Sequence, residues 1–454
     1  MPELDVVILA AGKGTRMHSD IPKVLHPLAG RPMLDHVISV ARVLLARRIV
    51  FVYGHGGEAV CEQTDASDIE FVRQEPQLGT GHAVQQAVPV LESDTTLVLY
   101  GDVPLISAHT LGRLLETRAE LSLLTMEMDD PHGYGRIIRD RAGHVRQIVE
   151  EKDATARQRV VREVNTGLLA ASTARLKQWL SRIGNDNAQG EYYLTDIVAA
   201  AAHDGVEIAT ASTENQHEVL GVNNKAQLAR LERIYQWENA QRLLEQGVTV
   251  VDPARIDVRG TLSCGRDVSI DVNCVFEGDV VLGDRVSIGP NCVIRQTHIG
   301  PDSEVFPFCD IDDATIGSHC RIGPYARLRP GNQLANEVRV GNFVEMKASH
   351  IGNGSKANHL SYIGDSRVGS NVNIGAGTIT CNYDGANKHR TVIGDGVFIG
   401  SDTQLVAPVT IGAGSTIGAG STITKDTPEG ELTISRSKQI TVAGWKRPVK
   451  AKPK

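Results

Sequence analysis

The stretch Val392–Thr424, VIGDGVFIGSDTQLVAPVTIGAGSTIGAGSTIT, decides the fold of nearly half the chain. Ile393, Ile399, Leu405, Ile411, Ile417 and Ile423 recur every six residues, and four of the six precede a glycine. Four residues after each of the first five stands a small or β-branched side chain: Val397, Thr403, Val409, Ser415 and Ser421. A helix cannot hold a period of six on one face, but a coil with three flat sides can. Each side then turns one aliphatic and one small side chain inward, and stacked coils bury both. The same phase runs upstream through Ile270, Phe276, Leu282, Ile288 and Ile294. The spacing predicts a left-handed parallel β-helix of hexapeptide repeats over residues 248–454.

The repeat also accounts for most of the cysteines. Cys274, Cys292, Cys309 and Cys320 each fall four residues after an aliphatic residue of the repeat, in the small inward position. They read as buried hydrophobes rather than ligands or nucleophiles. The pattern falters around Leu328–Val340 and again between Ile374 and Ile393. An insertion in a regular coil projects outward, and such loops tend to carry function. Both interruptions are expected as loops.

Before the repeat, NKAQLARLERIYQWENAQRLLEQ (Asn224–Gln246) lacks Gly and Pro and has Leu228, Leu231, Tyr235 and Leu243 near helical spacing. It predicts a linker helix over 225–247. Upstream of it, over 1–224, short β-rich runs alternate with helical patterns. DVVILAA, RRIVFVYG, TTLVLYGDVPLI and LSLLTMEM read as strands; MLDHVISVARVLLA and GHAVQQAVPVL read as amphipathic helices. That alternation predicts a Rossmann-like α/β domain with a mostly parallel sheet, its ligands at the carboxyl ends of the strands.

The bulk figures set limits. Charged residues are 22% and the net charge is -7 across 454 residues, which argues against a nucleic-acid partner. The basic end KRPVKAKPK (Lys446–Lys454) reads as a solvated terminus. No apolar run is long enough to insert in a membrane, and the run at Val6–Ala11 is too short for a signal peptide. Seven cysteines without a CxxC pair argue against a disulfide framework, so a cytoplasmic protein is expected.

At the first strand's end, LAAGKGTRMHSDIPK (Leu9–Lys23) sets glycines and cations where backbone N–H groups can face a phosphate. A dinucleotide fingerprint needs a third glycine where Met17 stands, and a Walker loop needs Ser or Thr where Val24 follows Lys23. The fuller pattern of Leu9, Gly12, Gly14-Thr15-Arg16-Met17 and Pro22-Lys23 resembles the signature of sugar-phosphate nucleotidyltransferases. QLGTGHA (Gln77–Ala83), YGDVPLI (Tyr100–Ile106), GYGR (Gly133–Arg136), VEEKDA (Val149–Ala154), NTG (Asn165–Gly167) and GVNN (Gly221–Asn224) extend the likeness to uridylyltransferases. The β-helix adds RLRPG (Arg327–Gly331), GNFVEMK (Gly341–Lys347), NHLSYIGD (Asn358–Asp365), NIGAGTITCNYDGANK (Asn373–Lys388) and GSDTQLVAP (Gly400–Pro408). Together, and in order, these resemble the family of bifunctional enzymes that join an N-acetylglucosamine-1-phosphate uridylyltransferase to a glucosamine-1-phosphate N-acetyltransferase.

The resemblance implies an activity for each half. Residues 1–224 would transfer uridylyl from UTP to N-acetylglucosamine-1-phosphate, and 248–454 would transfer acetyl from acetyl-CoA to glucosamine-1-phosphate. The product, UDP-N-acetylglucosamine, would supply cell-wall and lipopolysaccharide precursors. Catalytic roles fall to Arg16 and Lys23 on the phosphates and to His359 as the base. Asp102 and Asn223 would bind Mg²⁺, although an Asn-Asn pair before a helix also reads as a cap. Leu9, Ala10, Ala11 and Gly12 would hold the nucleotide backbone; Gln74, Gly79 and Thr80 would hold uracil. Gly135, Glu150 and Asn165 would bind the amino-sugar, and Tyr100 equally suits core packing. In the second half, Arg329 and Lys347 would take the sugar phosphate, Tyr362 and Asn373 the sugar, with Glu345 orienting groups nearby. Ala376, Asn382, Tyr383, Ser401, Ala419 and Arg436 map onto acetyl-CoA contacts. Family members commonly carry Gly where this chain has Asn358. Cys381 offers an acyl-enzyme alternative but has no evident base beside it. A homotrimer built through the β-helix is implied as well. The competing reading is a single-activity sugar-1-phosphate nucleotidyltransferase whose β-helix is a scaffold or regulator; His359 and the CNYDGANK segment speak against it.

Overall fold

The computed structural model describes residues 3–12, 14–54, 57–64, 67–213 and 215–450. Lys13 of the opening loop and the last four residues of the basic end lie outside the described residues. The chain forms two units, Met1–Trp237 and Glu238–Lys454.

In the first unit, strands β1 (Leu4–Ala10), β2 (Arg48–Tyr53), β3 (Ile69–Arg73), β4 (Thr95–Tyr100), β5 (Leu121–Glu127), β6 (Arg136–Arg139), β7 (Val145–Val149), β8 (Glu163–Ser172) and β9 (Ile208–Ser212) build one sheet. Its path is β9-β5-β8-β4-β1-β2-β3, with β6 and β7 branching from β8. β1 runs parallel to β2 and β4, as β2 does to β3 and β9 to β5. Both faces are covered, so successive residues of β1 from Leu4 to Leu9 are buried: Val6 and Ile8 in one core, Val7 and Leu9 in the other. β8 is the exception, antiparallel to both β4 and β5. Its reversed direction brings Asn165–Gly167 to the carboxyl end of β4. A parallel strand would have left that segment at the amino ends of its neighbours.

The second unit is a parallel β-helix. Ile270, Ile288, Val305, Ile322, Val340, Ala357, Ile374, Ile399 and Ile417 pair in register, each with the next. The step is seventeen or eighteen residues, three six-residue sides, except for twenty-five from Ile374 to Ile399. The paired aliphatics are at most 5% exposed, each contributing roughly 1.5–3 kcal/mol relative to an exposed side chain. Cys274, Cys292, Cys309 and Cys320 are buried with them.

One expected loop is not there. Leu328, Leu334 and Val340 keep the six-residue phase and the ladder continues through Arg327–Leu328, Asn332–Leu334 and Arg339–Asn342. The pattern falters only because polar Asn332 takes a small inward position. It is buried, donates to the Met346 carbonyl at 3.1 Å and accepts from the Ser349 amide at 3.3 Å. The second interruption is a true insertion, reaching outward from Asn382 to Arg390 between the strands Ile379–Cys381 and Thr391–Ile393.

The linker helix spans Lys225–Glu245. Leu231 near its start packs with Met17, Leu28 and Met33 of the first unit; Ala240 and Leu243 near its end join the β-helix core.

Candidate functional site

The opening loop leaves the carboxyl end of β1 and folds back on itself. Gly14 adopts a left-handed φ of 60°, and a methyl there would stand 3.0 Å from Lys23 Cβ, so glycine lets the loop close on Lys23. Lys23 Nζ pairs with the Asp102 carboxylate just beyond β4. It also lies 3.5 Å from Asn223 Oδ1, which accepts from the Arg16 guanidinium at 3.0 Å. The Val222 amide donates to the Asp102 carbonyl at 2.9 Å, tying GVNN to the strand end. Three segments far apart in sequence thus bring Arg16, Lys23, Asp102 and Asn223 to one point. The Lys23 and Asp102 side chains are only 15% and 17% exposed, a setting in which charge interactions are stronger than in open water.

The Asn pair divides its work. Asn224 caps the linker helix, its Oδ1 accepting from the Gln227 amide at 2.9 Å. Asn223 is left to face the cations. Asp102 and Asn223 present two hard oxygens around one spot, a donor set that suits Mg²⁺ completed by phosphate oxygens and water.

Farther along the strand ends, Gln74 is buried and its amide donates to the Gly79 carbonyl at 2.9 Å, with His82 Nδ1 at 3.1 Å. Gly79 has φ 111°, and a methyl there would meet the Tyr192 carbonyl at 2.6 Å. Thr80 Oγ1 accepts from the Leu194 amide at 3.1 Å. These three residues therefore shape one loop wall. Gln77, which the sequence reading left without a role, donates to the Ala11 carbonyl and holds the opening loop against that wall.

The residues assigned to the sugar also meet. Asn165 N donates to the Gly135 carbonyl at 2.8 Å, and a methyl on Gly135 would lie 3.3 Å from Glu150 Oε1. A methyl on Gly167 would stand 2.7 Å from the Tyr100 ring, so Tyr100 both packs on the core and borders this loop. Burial pushes the Glu150 carboxyl above its usual range, while a hydrogen bond from Thr195 Oγ1, 3.2 Å away, pulls it back. Asp153 and Asp196 add to the upward push.

In the β-helix two groups form. Arg329 donates to Glu345 at 3.0 Å, and Lys347 lies 3.6 Å from Asp365. Glu345 pairs with Tyr362 across the ladder. From the insertion, Asn382 Nδ2 reaches Asp365 at 2.5 Å and the Tyr362 hydroxyl at 3.4 Å. The Lys347 ammonium beside Lys388 pushes that lysine below its usual range. The insertion is braced by Asp384, which accepts from the Asn387 amide at 2.6 Å, from His389 Nε2 at 2.6 Å and from the Ala386 amide at 2.8 Å. Those bonds hold its carboxyl well below the usual range. Tyr383 is exposed on the insertion, its hydroxyl donating to the Gly385 carbonyl at 2.6 Å.

The second group is a column. Ala357, Ile374, Ile399 and Ile417 pair in register. Two residues past each, His359, Ala376, Ser401 and Ala419 therefore occupy the same place on successive coils. Arg436 closes the column, donating to the Ala419 carbonyl. His359 is exposed at its foot, with Nδ1 2.9 Å from Asn342 Oδ1. Asn373 precedes Ile374 on the same coil side, beside Lys356. Cys381 stays partly buried, and burial pushes its thiol above the usual range, the wrong direction for a nucleophile.

The fold and these clusters describe a transferase with a nucleotidyltransferase unit and a hexapeptide unit. Residues 6–166 match the MobA-like NTP transferase domain, and residues 263–296 and 390–425 match the bacterial transferase hexapeptide (six repeats). The chain is 63% identical over 450 residues to the bifunctional protein GlmU of Azoarcus sp. (strain BH72), covering 98% of this chain and 100% of that protein. It is 62% identical over 452 residues to the protein of that name from Aromatoleum aromaticum, with 99% of each covered. With that of Cupriavidus pinatubonensis it shares 61% over 450 residues, 98% and 99% of the two chains. The chain belongs to the GlmU family of bifunctional proteins.

Proposed function

We propose that this chain makes UDP-N-acetylglucosamine by two reactions at two sites. The β-helix acetylates glucosamine-1-phosphate from acetyl-CoA, and the α/β unit then joins the N-acetylated sugar phosphate to UMP from UTP. What carries the reading is the presence, in one chain of this family, of both the Arg16–Lys23–Asp102–Asn223 convergence and the His359 column. A scaffold β-helix would need neither the column nor the insertion.

In the uridylyl step a phosphate oxygen of N-acetylglucosamine-1-phosphate attacks the α-phosphorus of UTP and pyrophosphate leaves, with no covalent enzyme intermediate required. Arg16 and Lys23 neutralise phosphate charge, the opening loop cradles the nucleotide with its backbone amides, and Gln74, Gly79 and Thr80 form the uracil wall. Gly135, Glu150, Asn165 and Tyr100 orient the sugar. Asp102 and Asn223 would hold Mg²⁺, which would supply further neutralisation of the phosphates.

In the acetyl step His359 Nε2 takes a proton from the sugar ammonium. The freed amine attacks the thioester carbonyl, the C–S bond breaks, and the nitrogen gives up its second proton; of the two protons released, one passes to the departing CoA sulfur and the other to solvent. Arg329 and Lys347 hold the sugar phosphate, and Tyr362 and Asn373 hold the ring. Ala376, Ser401, Ala419 and Arg436 run up the column along acetyl-CoA, with Asn382 and Tyr383 beside it.

We also propose assembly as a homotrimer through the β-helix. Phe308, Tyr325 and Phe343 support this, stacked at 4.9 and 5.3 Å on one coil corner and about half exposed, an apolar ridge unusual for a free surface. Sedimentation equilibrium checks it. All seven cysteines are free thiols, in keeping with a reducing compartment such as the cytoplasm. No helix among the described residues is long and apolar enough to cross a membrane.

A two-substrate assay tests the function. Glucosamine-1-phosphate, acetyl-CoA, UTP and Mg²⁺ together should yield UDP-N-acetylglucosamine, and omitting acetyl-CoA should abolish that product. Uridylyl transfer without any acetyl transfer would favour the scaffold reading.

A further inference from the structure

An exposed imidazole has two ring orientations and two tautomers open to it, and only some combinations present a lone pair on Nε2. His359 ends the strand Lys356–His359, where its side chain is exposed. One coil earlier, Asn342 ends the strand Arg339–Asn342, and the parallel ladder pairs Asn342 with His359 directly. The Leu360 amide donates to the Asn342 carbonyl at 3.1 Å. The two coils are in close backbone contact here, since a methyl on Gly341 would fall 1.9 Å from the Asn358 carbonyl oxygen. The spacing of the two side chains is therefore set by the fold.

Asn342 Oδ1 lies 2.9 Å from His359 Nδ1. A carboxamide oxygen only accepts, so Nδ1 must carry the ring proton and Nε2 keeps its lone pair. We propose that Asn342 is a positioning residue for acetyl transfer: it fixes the imidazole in the tautomer and orientation that make Nε2 the base. The inference rests on the reading of His359 as that base. It also explains the residue type. An Asp here would fix the same tautomer but stabilise the imidazolium, leaving more of the enzyme protonated and idle near neutral pH. Asn fixes the proton without the charge.

Asn342→Ala, Asn342→Asp and His359→Ala in the full chain test this, with uridylyl transfer and melting temperature measured alongside. Asn342→Ala should lower kcat for acetyl transfer by about 10–100-fold, the range seen when outer partners of metal-bound histidines are removed. KM for glucosamine-1-phosphate should change by less than about twofold, because the change falls on proton transfer and not on binding. Asn342→Asp should recover most of kcat at alkaline pH and move the acid limb of the acetyl-transfer profile up by about one unit. Uridylyl transfer should hold in both. A near-normal kcat for Asn342→Ala, or an acid limb unmoved in Asn342→Asp, overturns the proposal. Should the alanine variant fold poorly, the aspartate profile decides alone. If His359→Ala itself still acetylates, the reading of the base has failed instead.

Discussion

Asp102 brings the negative charge to a cluster otherwise made of Arg16, Lys23 and a neutral amide, and Lys23 already rests against it. Replacing it with Asn keeps the shape and removes the charge that would hold a cation. Asp102→Asn should therefore cut uridylyl transfer by at least about 10²-fold and leave acetyl transfer intact, both read in separate single-reaction assays. Equal damage to the two activities would make Asp102 a structural residue. Glu150 permits a second test. Its carboxyl is raised by burial, so it takes up a proton at higher pH than an ordinary Glu. A carboxylate that accepts sugar hydroxyls works only when ionised, so KM for N-acetylglucosamine-1-phosphate should climb as pH falls through that raised value. Glu150→Gln should flatten the climb, and an unchanged profile would remove Glu150 from the sugar contact. At this scale much was legible. Asp102 stands out because a short apolar run ends in a carboxylate, and the four buried cysteines follow from the repeat. Asn223 was ambiguous from sequence, since either residue of the pair can cap a helix; only the contacts with Arg16 and Lys23 separate it from Asn224. Asn342 and Gln77 gave no signal, because their roles depend on partners brought close by coiling and loop closure.

Among the elements, the hexapeptide coils were the most legible, since their period has one physical explanation. The insertion after Cys381 was legible for the same reason, as a break in that period. Asn332 misled because polarity in one inward position looks like an interruption, whereas two hydrogen bonds to the next coil let it stay inside. β8 was illegible in another way: nothing in Glu163–Ser172 states its direction, yet that direction brings Asn165 to Gly135. The insertion itself invites a test. Asp384 binds it with bonds from Asn387, Ala386 and His389, and its depressed carboxyl value means the bracing is present above an ordinary Asp value and is lost as pH falls through the lower one. Asp384→Ala should loosen the loop that presents Asn382 and Lys388. Acetyl transfer should drop by about tenfold, on the scale of a misplaced positioning group, with melting temperature and uridylyl transfer nearly unchanged. Undiminished acetyl transfer would show that the loop's shape does not matter to the reaction.

At the scale of the whole molecule, the two proposed sites lie in units with separate cores, and the linker helix contributes to each core with a different end. Its first turns support the cluster proposed to bind the nucleotide. Leu228, Leu231 and Tyr235 cover Met17, the neighbour of Arg16, and Glu232 accepts from the Ala29 amide at 2.7 Å. Gln227 accepts from the Asn223 amide at 2.7 Å, and Asn223 faces Arg16 and Lys23. Where the chain is cut therefore matters. A fragment 1–237 keeps these contacts and should transfer uridylyl to N-acetylglucosamine-1-phosphate within a few-fold of the intact chain, with no acetyl transfer. A fragment 1–224 loses the cover over Met17 and the support of Asn223. Without Leu231, its partners Met17, Leu28 and Met33 are uncovered, which forfeits roughly 1.5–3 kcal/mol for each large side chain exposed, so the fragment should melt several degrees lower and turn over more slowly. Thermal melts and uridylyl assays on the two fragments decide the matter. Equal stability and activity would show that the helix only connects the units; a folded but inactive 1–237 would mean that the uridylyl site had been assigned to the wrong residues.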